Sequence, residues 1–258
     1  MTIQAAGRSS RWIKEAARLK TPSGCRKRNR YLVEGPRFIG DMIRRENPLL
    51  CIIVSSEPSE QSQIIAEQAV ELGIRVIEAQ PTLYSGISYT EHSQGITAIA
   101  EIPSFTIKDI FNGGTVLALD GIGDPGNAGT AIRSAAAFGC SGVVFLRNST
   151  FPWAPKVVRS SAGLVSAIPV TAADSVADMA LSFPNYRFFG ADASGKNELL
   201  SGITAPVCLV IGSEAHGLSE KQSLHGLVSI PMEKNVESLN AGVSASILLW
   251  QLYRSSLN

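Results

Sequence analysis

Val116-Leu117-Ala118-Leu119-Asp120-Gly121-Ile122-Gly123-Asp124-Pro125-Gly126-Asn127, continued by Ala128-Gly129-Thr130-Ala131-Ile132-Arg133-Ser134-Ala135-Ala136-Ala137-Phe138-Gly139, decides how the rest of the chain is read. The stretch opens on a short apolar run of the kind that forms a buried strand. A loop rich in glycine, proline and asparagine follows, from Asp120 to Asn127. The side chain of Asn127 can accept from the free N–H groups of a following turn, so Asn127 is expected as an N-cap. Ala128–Phe138 then reads as a helix and Gly139 as its stop. A second apolar run, Val143-Val144-Phe145-Leu146, restores the strand pattern. This is a β-loop-α-β unit whose polar loop leaves the carboxyl end of a strand, the edge where open α/β sheets hold ligands.

The 258 residues suffice for one large or two modest domains, and 45% of them are apolar, so a core can form. A formal charge of +1 neither demands nor excludes nucleic acid. Its distribution is uneven. Up to Arg45 cations far outnumber the three acids Glu15, Glu34 and Asp41, and they are densest at Arg26-Lys27-Arg28-Asn29-Arg30. Such a cluster is either a solvated basic arm or a phosphate-contacting one. The four cysteines, Cys25, Cys51, Cys140 and Cys208, lie far apart and form no metal-ligand or redox spacing, so no metal is expected. Three of them lie in apolar contexts that fit small buried hydrophobes, and the set fits a reducing compartment. No apolar run reaches the ~20 residues that span a bilayer, and no apolar core follows the basic start, so neither a membrane segment nor a secretory leader is expected and the location reads as cytoplasmic.

Taken in order, residues 8–20 can form a basic amphipathic helix broken at Thr21-Pro22-Ser23-Gly24. The expected elements then run strand Tyr31–Val33, helix Arg37–Arg45, strand Cys51–Val54, helix Ser59–Leu72, strand Arg75–Ile77 and a strand over 94–100. This outlines a basic arm over 1–30, a small α/β/α domain over 31–102, a linker over 103–115 and a larger α/β domain over 116–258. In the last, helices are expected over Pro155–Gly163, Asp174–Leu181 and about Ser238–Arg254, and strands over Tyr186–Gly190, Pro206–Ile211 and Leu227–Ile230. Strands alternate with helices, so the fold class is α/β with a mainly parallel sheet and helices on both faces.

Three polar loops follow strands in this domain: Asp120–Asn127, Gly212-Ser213-Glu214-Ala215-His216-Gly217, and Glu237-Ser238-Leu239-Asn240 ahead of the last helix. The first contains the G-x-G-x-x-G spacing of dinucleotide loops, from Gly121 to Gly126. Asp120 before it, Pro125 within it and Arg147 in place of a ribose-binding acid argue against that use, although an arginine suits a 2′-phosphate, so an NADP-dependent oxidoreductase stays as a third reading. Any one of these loops can be ordinary turn chemistry. Three in this order, with an arginine inside the first helix, are not explained that way.

The combination resembles the SpoU family of the SPOUT superfamily of RNA ribose 2′-O-methyltransferases. The resemblance rests on Asp124–Ala135, on Leu209–Ser219, and on Ile230-Pro231-Met232 with Glu237–Ser244. Tyr31-Leu32-Val33-Glu34-Gly35-Pro36-Arg37 is similar to the start of an L30e-like substrate-binding domain. Ala241-Gly242 departs from the bulkier residues common in the family, which bears on helix packing more than on chemistry. The resemblance implies a C-terminal trefoil knot that holds S-adenosylmethionine in a pocket of Ala191, Ile211, Gly212, Glu214, Gly217, Ile230, Met232, Ser238, Leu239, Asn240 and Ala241. It implies Arg133, Asn127, Glu214, Ser238 and Asn240 as catalytic residues, RNA as substrate (rRNA ahead of tRNA) and a homodimer whose last helix packs on a partner.

A guanidinium normally stays protonated, so a general-base role suits Arg133 poorly, and it is read as gripping a phosphate and orienting the ribose hydroxyl. The proton of that hydroxyl then leaves late, to the phosphate, to solvent or to an Arg133 perturbed by the nearby sulfonium; the plain alternative is a surface arginine. Glu214 either orients Asn127 and its loop or touches substrate, and His216 reads as a loop residue. Arg26, Lys27, Arg28, Arg30, Arg37, Arg133, Lys156 and Arg159 are the candidate RNA contacts; Lys156 and Arg159 can equally be a solvated face, and Arg159 can cross a dimer interface. Trp153 either stacks on a base or packs. An RNA-binding protein without catalysis is the alternative from another class.

Overall fold

The computed structural model describes residues 3–195, 203 and 205–257. They divide into two units, one running to Pro103 and taking in Trp153–Arg159, the other comprising Ser104–Pro152 and continuing from Ser160.

The first unit contains, in order, β1 (Gln4–Ala6), α1 (Arg11–Arg18), α2 (Pro22–Arg28), β2 (Arg30–Glu34), α3 (Pro36–Arg44), β3 (Leu49–Ser55), α4 (Glu60–Glu71), β4 (Val76–Ala79), α5 (Pro81–Ser85) and β5 (Ile96–Glu101). Its sheet runs β1-β4-β3-β5-β2, with β1, β4 and β3 parallel and β5 antiparallel to both its neighbours. The centre is the β-branched run of β3, where Ile52 and Ile53 are fully buried. Residues 4–28, expected as an arm, contribute an edge strand and two helices to this unit. The break at Thr21-Pro22 ends α1, and Thr21 then caps α2 by accepting from Gly24 N–H at 3.1 Å, with Pro22 at the first helical position where its missing N–H costs nothing. Glu15 of α1 is buried and accepts from Arg28 and Arg30. Trp153 is 3% exposed and packs against Tyr31 with ring centroids 4.6 Å apart, so it is a core residue and offers no face for a base to stack on.

The second unit contains α6 (Ile107–Ile110), β6 (Thr115–Asp120), α7 (Pro125–Ala137), β7 (Gly142–Phe145), then α8 (Pro155–Ser160; all but its last residue in the first unit), β8 (Val170–Ala172), α9 (Val176–Ser182), β9 (Arg187–Ala191), β10 (Val207–Gly212), β11 (Gly226–Val228) and α10 (Ala241–Ser255). The stretch read as a linker holds α6, closed by a capping box between Thr106 and Asp109. The sheet order is β11-β9-β10-β6-β7-β8, and every pairing is parallel. Val116, Ala118, Val144, Cys208 and Val210 pack with Val176 and Met179 of α9 on one face. Alternation sends Leu117, Leu119, Val143, Leu209 and Ile211, also buried, to the other. Both faces are therefore covered, which is why these strands read as continuous apolar runs.

The register aligns Gly212 with Asp120 and Ile211 with Ala191, while Val228 pairs with Ala191. The loops after β6, β9, β10 and β11 consequently leave the sheet at one edge. Two helix starts differ from expectation. Asp124, not Asn127, caps α7, accepting from Asn127 N–H at 2.8 Å with Pro125 next to it. Asn240 caps α10, accepting from Val243 N–H at 3.2 Å, so Ser238 and Leu239 stay in the loop. The small residues of α10 matter for its seat on α7: a Cβ on Gly242 would come within 3.0 Å of Thr130 Cβ.

Candidate active site

The carboxyl edge of β6 ends at Asp120, 6% exposed. Its carboxylate accepts from Ser219 N–H at 2.7 Å and from the Ser219 hydroxyl at 3.1 Å, tying the end of the first strand to the far end of the Gly212 loop. That loop is itself a tight reversal. Ser213 N–H donates to Gly217 O at 3.2 Å and Gly217 N–H to Ser213 O at 2.8 Å, leaving Glu214, Ala215 and His216 at the tip. Gly217 has φ +65°, and a Cβ on Gly212 would lie 2.3 Å from Gly217 C, so the backbone closes only because both are glycine.

Three side chains, one from each polar loop, meet at this edge. Asn240 uses its Oδ1 to cap α10, so its Nδ2 donates, to Asn127 Oδ1 at 2.6 Å. With that oxygen taken, Asn127 Nδ2 donates to Glu214 Oε1 at 2.5 Å. The same Glu214 oxygen accepts from Ala241 N–H at 3.1 Å. Each amide orientation follows from the next one in the chain, ending on a backbone N–H whose direction is fixed. Asn127 is 9% exposed, and both of its side-chain groups are satisfied within the protein. Its place in the structure is to join the loops.

Beside this junction lies a cleft of about 200 Å³. Of the expected pocket residues, Ala191, Ile211, Gly212, Glu214, Gly217, Ile230, Met232, Ser238, Leu239 and Ala241 line it; Asn240 does not, being turned to Asn127 and the start of α10. Asp192, Ser213, Glu237, Ser244 and Leu248 line it as well and were not anticipated. Asp192 had a legible signal, since it directly follows the last residue of β9. Its carboxylate pairs with Lys221 Nζ at 2.6 Å and accepts from Ser194 N–H at 2.9 Å. The Lys221 hydrogen bond, then those of Ser194, hold its pKa down at about 2. Among the described residues no group of three or more His, Cys, Asp and Glu side chains gathers to hold a metal.

The remaining expected site residues are scattered. Arg133 is exposed on α7 and is not part of the cleft wall. Arg26 and Lys27 are exposed on α2, and Arg37 is exposed on α3. Arg28 and Arg30 are half-buried against Glu15. Lys156 and Arg159 are exposed on α8, which lies in the first unit to Arg159. His216 is exposed at the loop tip.

Residues 114–250 match the model of the SpoU rRNA methylase family. An uncharacterized tRNA/rRNA methyltransferase of Mycobacterium sp. (strain KMS) is 31% identical over 241 residues, covering 86% of this chain and 76% of that one. The chain belongs to the SpoU rRNA methylase family. Residues 11–98 match an MRM3-like substrate binding domain, a span that begins inside the helix Arg11–Arg18. Solved methyltransferase structures share the fold along nearly the whole chain. An AdoMet-bound rRNA methyltransferase from Sinorhizobium meliloti is 24% identical with a TM-score of 0.85, covering 99% of both chains. The SpoU methyltransferase AviRb of Streptomyces viridochromogenes, in complex with AdoMet, is 24% identical with a TM-score of 0.83, covering 96% of this chain and 99% of that one.

Proposed function

We propose that this SpoU protein is an S-adenosylmethionine-dependent RNA methyltransferase that methylates a ribose 2′-hydroxyl, on rRNA ahead of tRNA. The observation that carries the reading is the meeting of all three family loops in the Asn127–Glu214–Asn240 junction, beside a cleft of which Glu214 forms part of the lining. Ile211, Ile230, Met232, Leu239 and Leu248 supply apolar surface for an adenine, while Asp192, Glu214, Glu237 and the loop amides supply a few polar groups for the rest. These residues fit S-adenosylmethionine, whose activated methyl group is the chemistry it brings when bound. The reading includes the C-terminal knot, and the donation of Ala241 N–H to Glu214 ties the start of α10 to the Gly212 loop.

A ribose hydroxyl is a weak nucleophile, so the chain has to align it, and its proton leaves late, to the adjacent phosphate or to solvent. The Arg133 guanidinium grips the neighbouring phosphate, which orients the hydroxyl. Its exposure supports that work, because a phosphate must reach it from solvent. Asn127, Glu214 and Asn240 keep the loops in place, and Ser238 presents a hydroxyl on the cleft wall. Arg26, Lys27, Arg28, Arg30, Arg37, Lys156 and Arg159 are the further RNA contacts. Val243, Trp250 and Tyr253 stay 43%, 46% and 40% exposed on α10, an apolar surface that a second copy of the chain covers in a homodimer. Four buried free thiols and the lack, among the described residues, of any helix able to cross a membrane fit the cytoplasm.

The test is transfer of labelled methyl groups to RNA, followed by digestion to nucleosides. Label in 2′-O-methylated nucleosides supports the reading; binding of RNA without transfer supports a binding protein instead.

A further inference from the structure

Not all the cations of the first unit are scattered: four of them share one groove. We propose that this groove, organised by Glu15, binds the phosphodiester backbone of the RNA substrate. The inference rests on the reading that the chain acts on RNA and adds where and how it is held.

The groove has a volume of about 680 Å³, and Arg18, Lys27, Arg28 and Arg30 line it against a single carboxylate, that of Glu15. Glu15 is 6% exposed. A charge that buried is tolerated only when paired, and it accepts from Arg28 Nη1 at 2.6 Å and Arg30 Nη1 at 3.1 Å. The pairing engages one nitrogen of each guanidinium. A guanidinium carries five N–H donors, and each arginine keeps 34% of its side-chain surface open, so donors remain for an incoming oxygen. Glu15 therefore leaves three positive charges in excess along the groove and holds two of the cations at a set spacing. A merely solvated patch needs no buried carboxylate behind it.

The shape depends on Gly24. A Cβ there would lie 1.8 Å from the carbonyl oxygen of Arg18, so α2 folds against the end of α1 only because residue 24 has no side chain. The hydroxyls of Thr21 and Ser23 complete the lining. No aromatic ring lines the groove, and its carboxylate is already engaged. Bases find neither a stacking surface nor a free acceptor, and the groove takes sugar and phosphate without regard to sequence. RNA is favoured over an acidic protein because every lining residue falls within residues 11–98, which match a substrate-binding domain.

The experiment compares the full chain with its Arg18→Ala/Lys27→Ala variant, both exposed positions outside the cleft, for binding of two labelled hairpin RNAs of unrelated sequence across a KCl series. The variant should bind both hairpins about tenfold or more weakly, and its plot of log K against log salt should be shallower by roughly 1.4 to 1.8, as for two lost phosphate contacts. Calorimetric binding of S-adenosylmethionine should not change. Glu15→Gln should weaken RNA binding of the folded protein; a purely structural role would lower the melting temperature and leave that affinity intact. Unchanged affinity and salt slope in the double variant overturn the proposal. So does competition by poly-L-glutamate as effective, charge for charge, as competition by RNA, which would make the groove a dock for acidic protein. A wild-type chain that binds the hairpins through this groove yet transfers no methyl group to ribosomal or transfer RNA refutes the enzyme reading and leaves the groove standing.

Discussion

The side-chain amide of Asn127 donates to Glu214 Oε1 across 2.5 Å, joining residues 87 positions apart in sequence. Asn240 completes the junction from the other side of Asn127 at 2.6 Å. Because each hydrogen bond sets the orientation of the next, the three residues act as one unit, and such units respond non-additively to mutation. Asn127→Ala and Glu214→Ala should each weaken S-adenosylmethionine binding by about tenfold or more, and the double variant should be little worse than the weaker single one. Isothermal titration calorimetry on the four proteins decides it; fully additive losses would break the claim that they form a single device. Asn240→Ala should show the same binding loss plus about 1 kcal/mol of lost stability from the missing cap of α10.

Arg133 stands apart from that junction, exposed and outside the cleft wall. Arg133→Ala should therefore leave S-adenosylmethionine affinity within a few-fold of wild type while lowering the rate of methyl transfer by about 100-fold, the scale of lost substrate alignment. Lysine in its place should rescue only part of the rate, since a point charge cannot grip a phosphate in two places. Single-turnover transfer assays read the rate, and near-normal transfer in Arg133→Ala would remove this residue from the mechanism.

The Asp192–Lys221 pair at the cleft gives the stability of the second unit a pH dependence. The carboxyl is held at about 2, below its ordinary 3.8, first by the Lys221 hydrogen bond and then by Ser194. A depressed carboxyl adds stability above the ordinary value and loses it as pH falls toward the folded one. Asp192→Asn should melt below wild type at neutral pH, and the gap should shrink between about pH 4 and pH 2. Lys221 is half exposed, so the gap should also shrink in high salt. Melting curves over pH and salt test both; a gap that widens on acidification contradicts the assignment.

All four cysteines are buried. Burial pushes the Cys25 thiol up to about 11 and those of Cys51 and Cys140 to about 12, and it raises Cys208 as well. The thiolate is the reactive form, so the native protein should be inert to alkylation at pH 8 and take up four equivalents after denaturation. Mass spectrometry after iodoacetamide measures this directly, and fast native labelling of any one thiol would show that its surroundings open.

Most strands and helices were legible because apolar runs here are punctuated by glycine, proline and capping residues. The three loops stood out for the same reason, each following a strand and preceding a helix or turn. Asn127 and Asp124 are both good caps three residues apart, and only Pro125, which belongs at a first helical position, distinguishes them. The contacts that give the site its order were not legible: Asn127 and Asn240 are 113 positions apart, and nothing in either local sequence points to the other. Asp120 looked like an argument against a dinucleotide loop, whereas it holds Ser219. Glu15 was invisible for a related reason. Its spacing from Ile13 and Ala16 does not reveal that it is buried or that two arginines of the basic cluster close over it. Trp153 is buried against Tyr31, more than a hundred residues before it in the chain, a pairing that local pattern cannot supply.

The central claim is that this chain moves a methyl group from S-adenosylmethionine to a ribose hydroxyl. The direct measurement incubates wild type and Asn127→Ala with methyl-labelled S-adenosylmethionine and with ribosomal and transfer RNA from cells lacking the gene, then resolves the nucleosides. The account predicts label in a 2′-O-methylated nucleoside, from ribosomal RNA first, with wild type and little with the variant. Label confined to base-methylated nucleosides, or no transfer to either RNA by a folded wild type, would contradict it.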